Sequence, residues 1–381
     1  MGPARPFAAG VALFAAGLMV AGAAPSMFVL VAGRAVQGLG AGVIPPVAYV
    51  VIGRNYEESL RPRMLAVLAS AWVIPGLAGP VLAGAVAEYV SWRAVFIGLL
   101  PLLVVATALT LPALRTVGPP DDSRTTPTRM PKALRLVLGA ALALGGIASG
   151  NVYAGALAVI VGLAIALPAL KRLVPAGTLR AAPGVPASIA GMGLLNMAFF
   201  GADAFVPLML THVRGQSTLV AGLALTSGTL SWTAGSWILA RSAGRIERRA
   251  AVCAGLLLVA AGIALMMLVL LDATPVALAA VAWCIAGLGM GLAYPAFSLS
   301  LLAGAAVAEQ GVASSALKLN EALGAAIGAG AGGAIVAAAA NGGWQAGGIA
   351  LTFAALAGVA IVGLYAGSRI APGTASEGAH A

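Results

Sequence analysis

The chain has 381 residues, of which 61% are apolar and 8% charged, and its mean hydropathy is +1.02. Soluble domains carry roughly 45–50% apolar and about 25% charged residues, so this composition excludes a soluble globular enzyme, a disordered chain and a nucleic-acid-binding module. The net charge of +10 sits in short segments between apolar runs, a pattern that sets orientation in a bilayer rather than one that grips nucleic acid.

A membrane-spanning helix needs about 20 apolar residues to cross about 30 Å of hydrocarbon. Apolar runs fall at 6–24, 27–53, 64–87, 91–113, 134–150, 152–170, 184–211, 218–240, 250–271, 275–302, 313–340 and 344–367. They predict an all-α polytopic membrane protein with about twelve spans, because helices satisfy every backbone group within the segment. The first run, led by Arg5 and followed by Ala21-Gly22-Ala23, has the outline of a secretory signal. It is longer than an h-region of about 7–15 residues and is read as a span. The runs at 134–150 and 152–170 are short and joined by a tight turn at Gly150-Asn151.

One set of connecting segments holds Arg5, then Arg54, Arg61 and Arg63, then Arg115, Arg124, Arg129, Lys132 and Arg135, then Lys171, Arg172 and Arg180, then Arg241, Arg245, Arg248 and Arg249, and finally Arg369. That is 17 of the 21 basic residues, whereas the opposite set holds only Arg93 and Arg214. The imbalance predicts a plasma-membrane protein with both termini cytoplasmic and an even number of spans. Cys253 and Cys284 lie inside apolar runs and are expected to be buried thiols outside any disulfide framework.

An internal repeat runs through the chain. Gly38-Leu39-Gly40-Ala41-Gly42 returns as Gly287-Leu288-Gly289-Met290-Gly291 at an offset of 249 residues. The same offset carries Gly79 onto Gly328, and Trp92 answers Trp344 at an offset of 252. Three matches in one order of helices and loops point to duplicated halves. At about 30 residues per span the offset equals eight helices, which is two six-helix halves separated by two inserted ones. Carried back by 249, Arg249 of the loop after 218–240 falls at position 0, so the counterparts of two helices would precede Met1. The expected division is 1–113 as an incomplete four-helix N-terminal bundle, 114–133 as a cytoplasmic loop and 134–171 as two linker helices. It continues with 172–369 as a six-helix bundle and 370–381 as a cytoplasmic tail.

Several of these residues resemble signatures of the major facilitator superfamily, in particular its fourteen-helix drug:proton antiporter branch. Arg34-Ala-Val-Gln37-Gly38-Leu-Gly40-Ala-Gly42 is similar to the family's R-x-x-Q-G-x-G-x-G pattern. Gly76-Leu-Ala-Gly79-Pro80-Val-Leu-Ala83-Gly84 resembles the antiporter signature G-P-x-x-G-G, with Ala83 in place of one glycine. Ser91-Trp92-Arg93-Ala-Val-Phe96 is similar to the W-R-x-x-F opening of the following helix, and Gly244-Arg245-Ile-Glu247-Arg248-Arg249 to a degraded G-x-x-x-D-R-x-G-R-R loop. The resemblance implies a two-bundle fold and a proton-coupled exporter, with the first two helices and the first basic loop of that design absent. A truncated, non-transporting remnant or accessory membrane protein is the alternative, and a membrane-embedded enzyme is disfavoured because no clustered polar constellation is visible.

The candidate site residues follow from depth in the bilayer. A charge at the bilayer centre costs about 2.5–3.5 kcal/mol on insertion scales, so it should face the protein and have a partner. Arg34 shares a helical face with Gln37, Gly38, Ala41 and Pro45. It reads either as a guanidinium serving a nearby carboxylate in proton exchange or as a side chain snorkelling to the interface. Gly76, Gly79, Pro80 and Gly84 read as a hinge and seal, implied by the resemblance, or as ordinary small-residue packing. Asp203 is the acidic residue placed well inside a span away from the cytoplasmic end, and Asn196, Phe199, Phe200 and Pro207 share its face. That face reads as a protonatable or cation-binding site with Phe199 and Phe200 as apolar walls, or as a helix-end carboxylate reaching outer water.

Lys318 and Glu321 are spaced i,i+3 and are expected to pair, with gating as the functional reading. Trp232, Trp237 and Tyr294 are either cavity lining or interface anchors, and the Gly38/Gly42 and Gly287/Gly291 spacings are expected packing seams. His212 and His380 form no ligand cluster, and there is no Walker-A loop, so no cofactor, metal or ATP is expected. The expected partners are the lipid bilayer, a small-molecule substrate and protons, with no nucleic acid and a monomeric chain.

Overall fold

The structure is a computed structural model, and it describes residues 3–44, 47–48, 51–52, 57, 60, 64, 73–116, 130–147, 152–242, 245–306 and 309–371. Pro45, Arg54, Arg61, Arg63, Arg124, Arg129, Gly244, His380 and the Gly150-Asn151 turn lie outside the described residues. Every apolar run has its helix. In chain order these are α1 (Ala4–Gly22), α2 (Met27–Ala41), α3 (Val73–Tyr89), α4 (Trp92–Arg115), α5 (Met130–Ile147), α6 (Val152–Leu173), α7 (Val185–Asp203), α8 (Thr218–Arg241), α9 (Arg248–Leu268), α10 (Leu278–Gly304), α11 (Gln310–Asn341) and α12 (Gln345–Gly367). Eight of them are long and apolar enough to cross a membrane. Helix α8 falls short of the others in apolar character because Thr226, Ser227, Thr229, Ser231, Thr233 and Ser236 run through it. Most of those hydroxyls bond back to carbonyls of their own helix, which is how hydroxyl side chains are tolerated inside helices.

Prolines and serines set the local breaks. Ser26 and Ser91 cap α2 and α4, their hydroxyls accepting from the Val29 and Arg93 amides. Within α4, Pro101 has no N–H for the Ile97 carbonyl, and the helix is interrupted at Gly98. Pro207 does the same to the Asp203 carbonyl. Helix α7 therefore ends its regular course at Asp203 and continues as a short turn, Val206–Leu208, and a π segment, Met209–Val213.

The chain divides into two compact units, Met1–Thr125 and Thr126–Ala381. In the first, α1 and α2 form a hairpin sealed by glycines. A Cβ on Gly40 would lie 2.5 Å from the Gly10 carbonyl oxygen, and one on Gly33 would lie 2.7 Å from the Ala21 nitrogen. Gly38 and Gly42 do not belong to this seam. A Cβ on Gly38 meets nothing within 4 Å among the described residues, and one on Gly42 meets only carbonyls of its own helix. The residues facing α1, Gly33, Gln37 and Gly40, are spaced four and three apart, and Gly38 lies off that line. The C-terminal end of α1 packs against α4, where a Cβ on Gly22 would lie 2.7 Å from the Ile97 side chain.

In the second unit α5 and α6 pair through Gly139, Gly146 and Gly162, and their Leu136, Ala166 and Ala169 pack against Leu319 and Leu323 of α11. The largest apolar core belongs to α7–α12. Helix α10 packs between α8 and α9. Gly287 and Gly291 face α8 while Gly289 faces α9, so the Gly287/Gly291 spacing does form the expected seam. Gly193 and Gly201 of α7 meet Gly324 and Gly328 of α11 in the same manner. Without water to drive association, helices in lipid are held by such close backbone approach and van der Waals packing. Cys253 and Cys284 are free and partly buried, and the Cys284 thiol donates to the Ser227 carbonyl at 3.4 Å.

Candidate functional site

Side chains from four helices of the second unit meet in one aromatic and polar stripe. Helix α7 contributes Asn196, Phe199, Phe200 and Asp203, which share a face by their three- and four-residue spacing. Asn196 is fully buried. Its amide nitrogen donates to the Met192 carbonyl at 2.8 Å, and its carbonyl oxygen has no hydrogen-bond partner among the described residues. Phe199 meets Phe200 and Trp232 edge-on, with centroids 5.3 and 5.7 Å away, and stacks on Trp283 at 5.2 Å. The Trp283 indole, 1% exposed, donates its N–H to Asp203 Oδ1 at 3.0 Å. Asp203, partly buried, is thus hydrogen-bonded from α10.

The stripe continues from Trp232 of α8 to Tyr294 of α10, with centroids 5.8 Å apart. Tyr294 donates to Glu321 Oε2 at 2.9 Å. Lys318 donates to the same oxygen at 2.9 Å and to the Tyr294 hydroxyl, and its ammonium lies 5.2 Å from the Tyr294 ring centroid. The expected i,i+3 pair is therefore present, and Tyr294 joins it as a third member. From Trp283 to Tyr294 is eleven residues, or about 16 Å of helix. The stripe accordingly links two polar centres, one at Asp203 and one at Glu321, through an unbroken run of ring contacts. Phe199 and Trp283 are buried, whereas Phe200, Trp232 and Tyr294 are partly exposed and can offer a ring to a cation or a flat apolar body. Trp237 stands apart, 57% exposed under the Arg241 guanidinium at 4.9 Å, as an interface anchor does.

In the first unit Arg34 donates to Gln37 Oε1 at 2.6 Å, and its guanidinium lies 5.9 Å from the Phe96 ring centroid. Gln37 is buried and Arg34 exposed. The described residues bring no carboxylate to this pair. Pro80 lies within α3, and a Cβ on Gly79 meets nothing within 4 Å among the described residues. Gly76 and Gly84 stand on the same helix, one turn to either side.

The two arginines of the sparsely basic connecting segments, Arg93 and Arg214, both bond backbone carbonyls. Arg93 donates to Ala24 O at 3.0 Å, just past the end of α1, and lies over the Trp92 ring at 4.4 Å. Arg214 donates to Val269 O at 3.0 Å, to Thr274 O at 2.9 Å and to Leu271 O, which closes the end of α9 onto the loop before α10. Among the described residues no three His, Cys, Asp or Glu side chains gather closely enough to hold a metal ion.

Trp283 escaped the sequence reading. Its signal was available, because the interval of 11 to Tyr294 is three helical turns and places both rings on one face. Gly228, whose missing side chain makes room for the Trp283 ring edge, carried no signal that distinguishes it from the other glycines.

The model of the family described as Major Facilitator Superfamily matches residues 1–329 of this chain. The chain belongs to the major facilitator superfamily. Among the relatives of this superfamily member is a probable multidrug-efflux transporter of Mycobacterium tuberculosis, 29% identical over 96% of this chain and 81% of that protein. The methylenomycin A resistance protein of Streptomyces coelicolor is 27% identical over 86% of this chain and 70% of its own length. Of solved structures, that of the POT family transporter PepTSo superposes with a TM-score of 0.67 at 13% identity, covering 97% of this chain and 83% of that one. An auto-inhibited POT family peptide transporter gives 0.67 at 15% identity, covering 98% and 84%. At such identities the likeness is one of fold. This major facilitator protein is thus a multi-pass membrane transporter.

Proposed function

We propose that this transporter is a proton-coupled exporter of small amphipathic or cationic molecules that works by alternating access. The observation that carries the reading is the Asp203 carboxylate at the end of a run of aromatic rings within the membrane-spanning part of the second unit. A carboxylate there can either neutralise a cationic substrate or carry a proton, and exchange follows when one site does both in turn. The rings supply an apolar, sequence-tolerant surface for flat or bulky bodies. Export is supported by the multidrug-efflux and methylenomycin-resistance relatives and by the Gly79-Pro80 signature, which we assign as hinge and seal. We assign Arg34 and Gln37 a part in proton coupling or substrate contact, and Lys318, Tyr294 and Glu321 to a gate. The same reading divides the chain into an N-terminal bundle, a linker of α5 and α6 and a six-helix C-terminal bundle, with both termini cytoplasmic.

Flux into inverted vesicles under an imposed proton gradient tests it. The wild-type chain accumulates a fluorescent lipophilic cation when the gradient is applied and loses it when the gradient is collapsed. Asp203→Asn abolishes gradient-driven accumulation while the protein still reaches the membrane. Undiminished accumulation in Asp203→Asn removes that residue from coupling, and no flux at all in the wild type favours the accessory-protein reading.

A further inference from the structure

We infer that Trp283 is the positioning residue of the substrate site: its indole N–H aims the Asp203 carboxylate from a neighbouring helix. This rests on the reading of Asp203 as the cation-recognising group.

Asp203 stands at the last regular residue of α7, ahead of Pro207. The bonded partner the described residues give it is Trp283, on α10, at 3.0 Å. The indole itself has little freedom. One face stacks on Phe199 with rings 21° from parallel, its edge occupies the space where Gly228 lacks a side chain, and the residue is 1% exposed. Phe199 is held in turn by Phe200 and Trp232. The donor is thus fixed before any ligand arrives, which is the arrangement that makes a polar contact cheap to form. It engages Oδ1, and we assign the second carboxylate oxygen to the ligand.

A tryptophan that only filled space would affect all ligands alike. The test is binding to the purified full chain of ethidium, a flat aromatic cation, against N-phenyl-1-naphthylamine, a neutral aromatic probe. Trp283→Phe keeps the stacking ring and removes the donor. It is expected to weaken ethidium binding about tenfold, the worth of one hydrogen bond to a charged group, and to leave the neutral probe unchanged. In an Asp203→Asn background the same change should add nothing. Should Trp283→Phe fail to fold, Asp203→Glu keeps the charge and displaces it from the indole, and the same selective loss is expected. The inference is overturned if Trp283→Phe leaves ethidium affinity intact, weakens both probes equally, or weakens ethidium again without Asp203. It is overturned too if Asp203→Glu binds ethidium like the wild type. An Asp203→Asn protein that binds ethidium normally defeats the underlying reading of the site and this inference with it. A strong effect of Asp203→Asn beside none of Trp283→Phe defeats the inference alone.

Discussion

The carbonyl oxygen of Asn196 is buried without a hydrogen-bond partner among the described residues, one turn from Phe199. An acceptor stranded in this way costs about 1–3 kcal/mol. Asn196→Leu, close in volume and with nothing to satisfy, is therefore expected to raise the melting temperature of the detergent-purified protein by an amount equivalent to about 1 kcal/mol. A fall would mean that the amide is worth more to this conformation than its orphaned oxygen costs. Lys318 offers the opposite case. Its side chain is 57% exposed, and exposed ion pairs contribute about 0–1 kcal/mol. Lys318→Ala should leave the melting temperature nearly unchanged, so a large loss of vesicle flux in that variant is a loss of gating rather than of fold. Unchanged flux would make the pair an ornament of the helix surface. The i,i+3 spacing made this pair legible in the sequence, whereas Tyr294 joins it from another helix and could be placed there only by packing.

At the scale of elements, glycine position matters more than glycine count. Gly40 and Gly38 belong to one motif, yet only Gly40 faces α1. Gly40→Ala forces backbone apart from backbone and is expected to destabilise by about 1–3 kcal/mol, the usual cost of overpacking. Gly38→Ala should melt like the wild type. Equal melting of the two would mean that α1 and α2 do not meet along this seam. Arg214 joins elements by another means, with three carbonyls of the loop between α9 and α10. Arg214→Gln should cost more than Arg214→Lys, because only the guanidinium spreads its donors over several acceptors. Melting temperatures order the three proteins. These bonds also account for an arginine on the side that is otherwise poor in positive charge. It satisfies helix-end carbonyls, which lipid would leave unpaired.

At the scale of the molecule, the basic loops predict sidedness. In a cysteine-free background, Gln216→Cys should react with an impermeant maleimide added to intact cells, and Ser242→Cys only after permeabilisation. The reverse pattern would invert the chain in the membrane. The two positions flank α8, so the experiment also tests whether that hydroxyl-rich helix crosses the bilayer.

Composition and run length by themselves determined that the chain is a bundle of membrane helices, and each apolar run became a helix because a backbone in lipid has few other ways to satisfy its polar groups. The motifs around Gly38, Gly79 and Trp92 were enough to point to the superfamily. Only the tertiary structure decided which face of each helix meets a neighbour. In soluble proteins the apolar stripe reveals the buried face, but these helices are apolar on both the lipid and the protein side, so the periodicity carries no such signal. The rotation of α10 that presents Gly289 to α9, Gly287 to α8 and Trp283 to Asp203 is set by how small and large side chains interlock across several helices at once. Residues far apart in the chain thereby became one site.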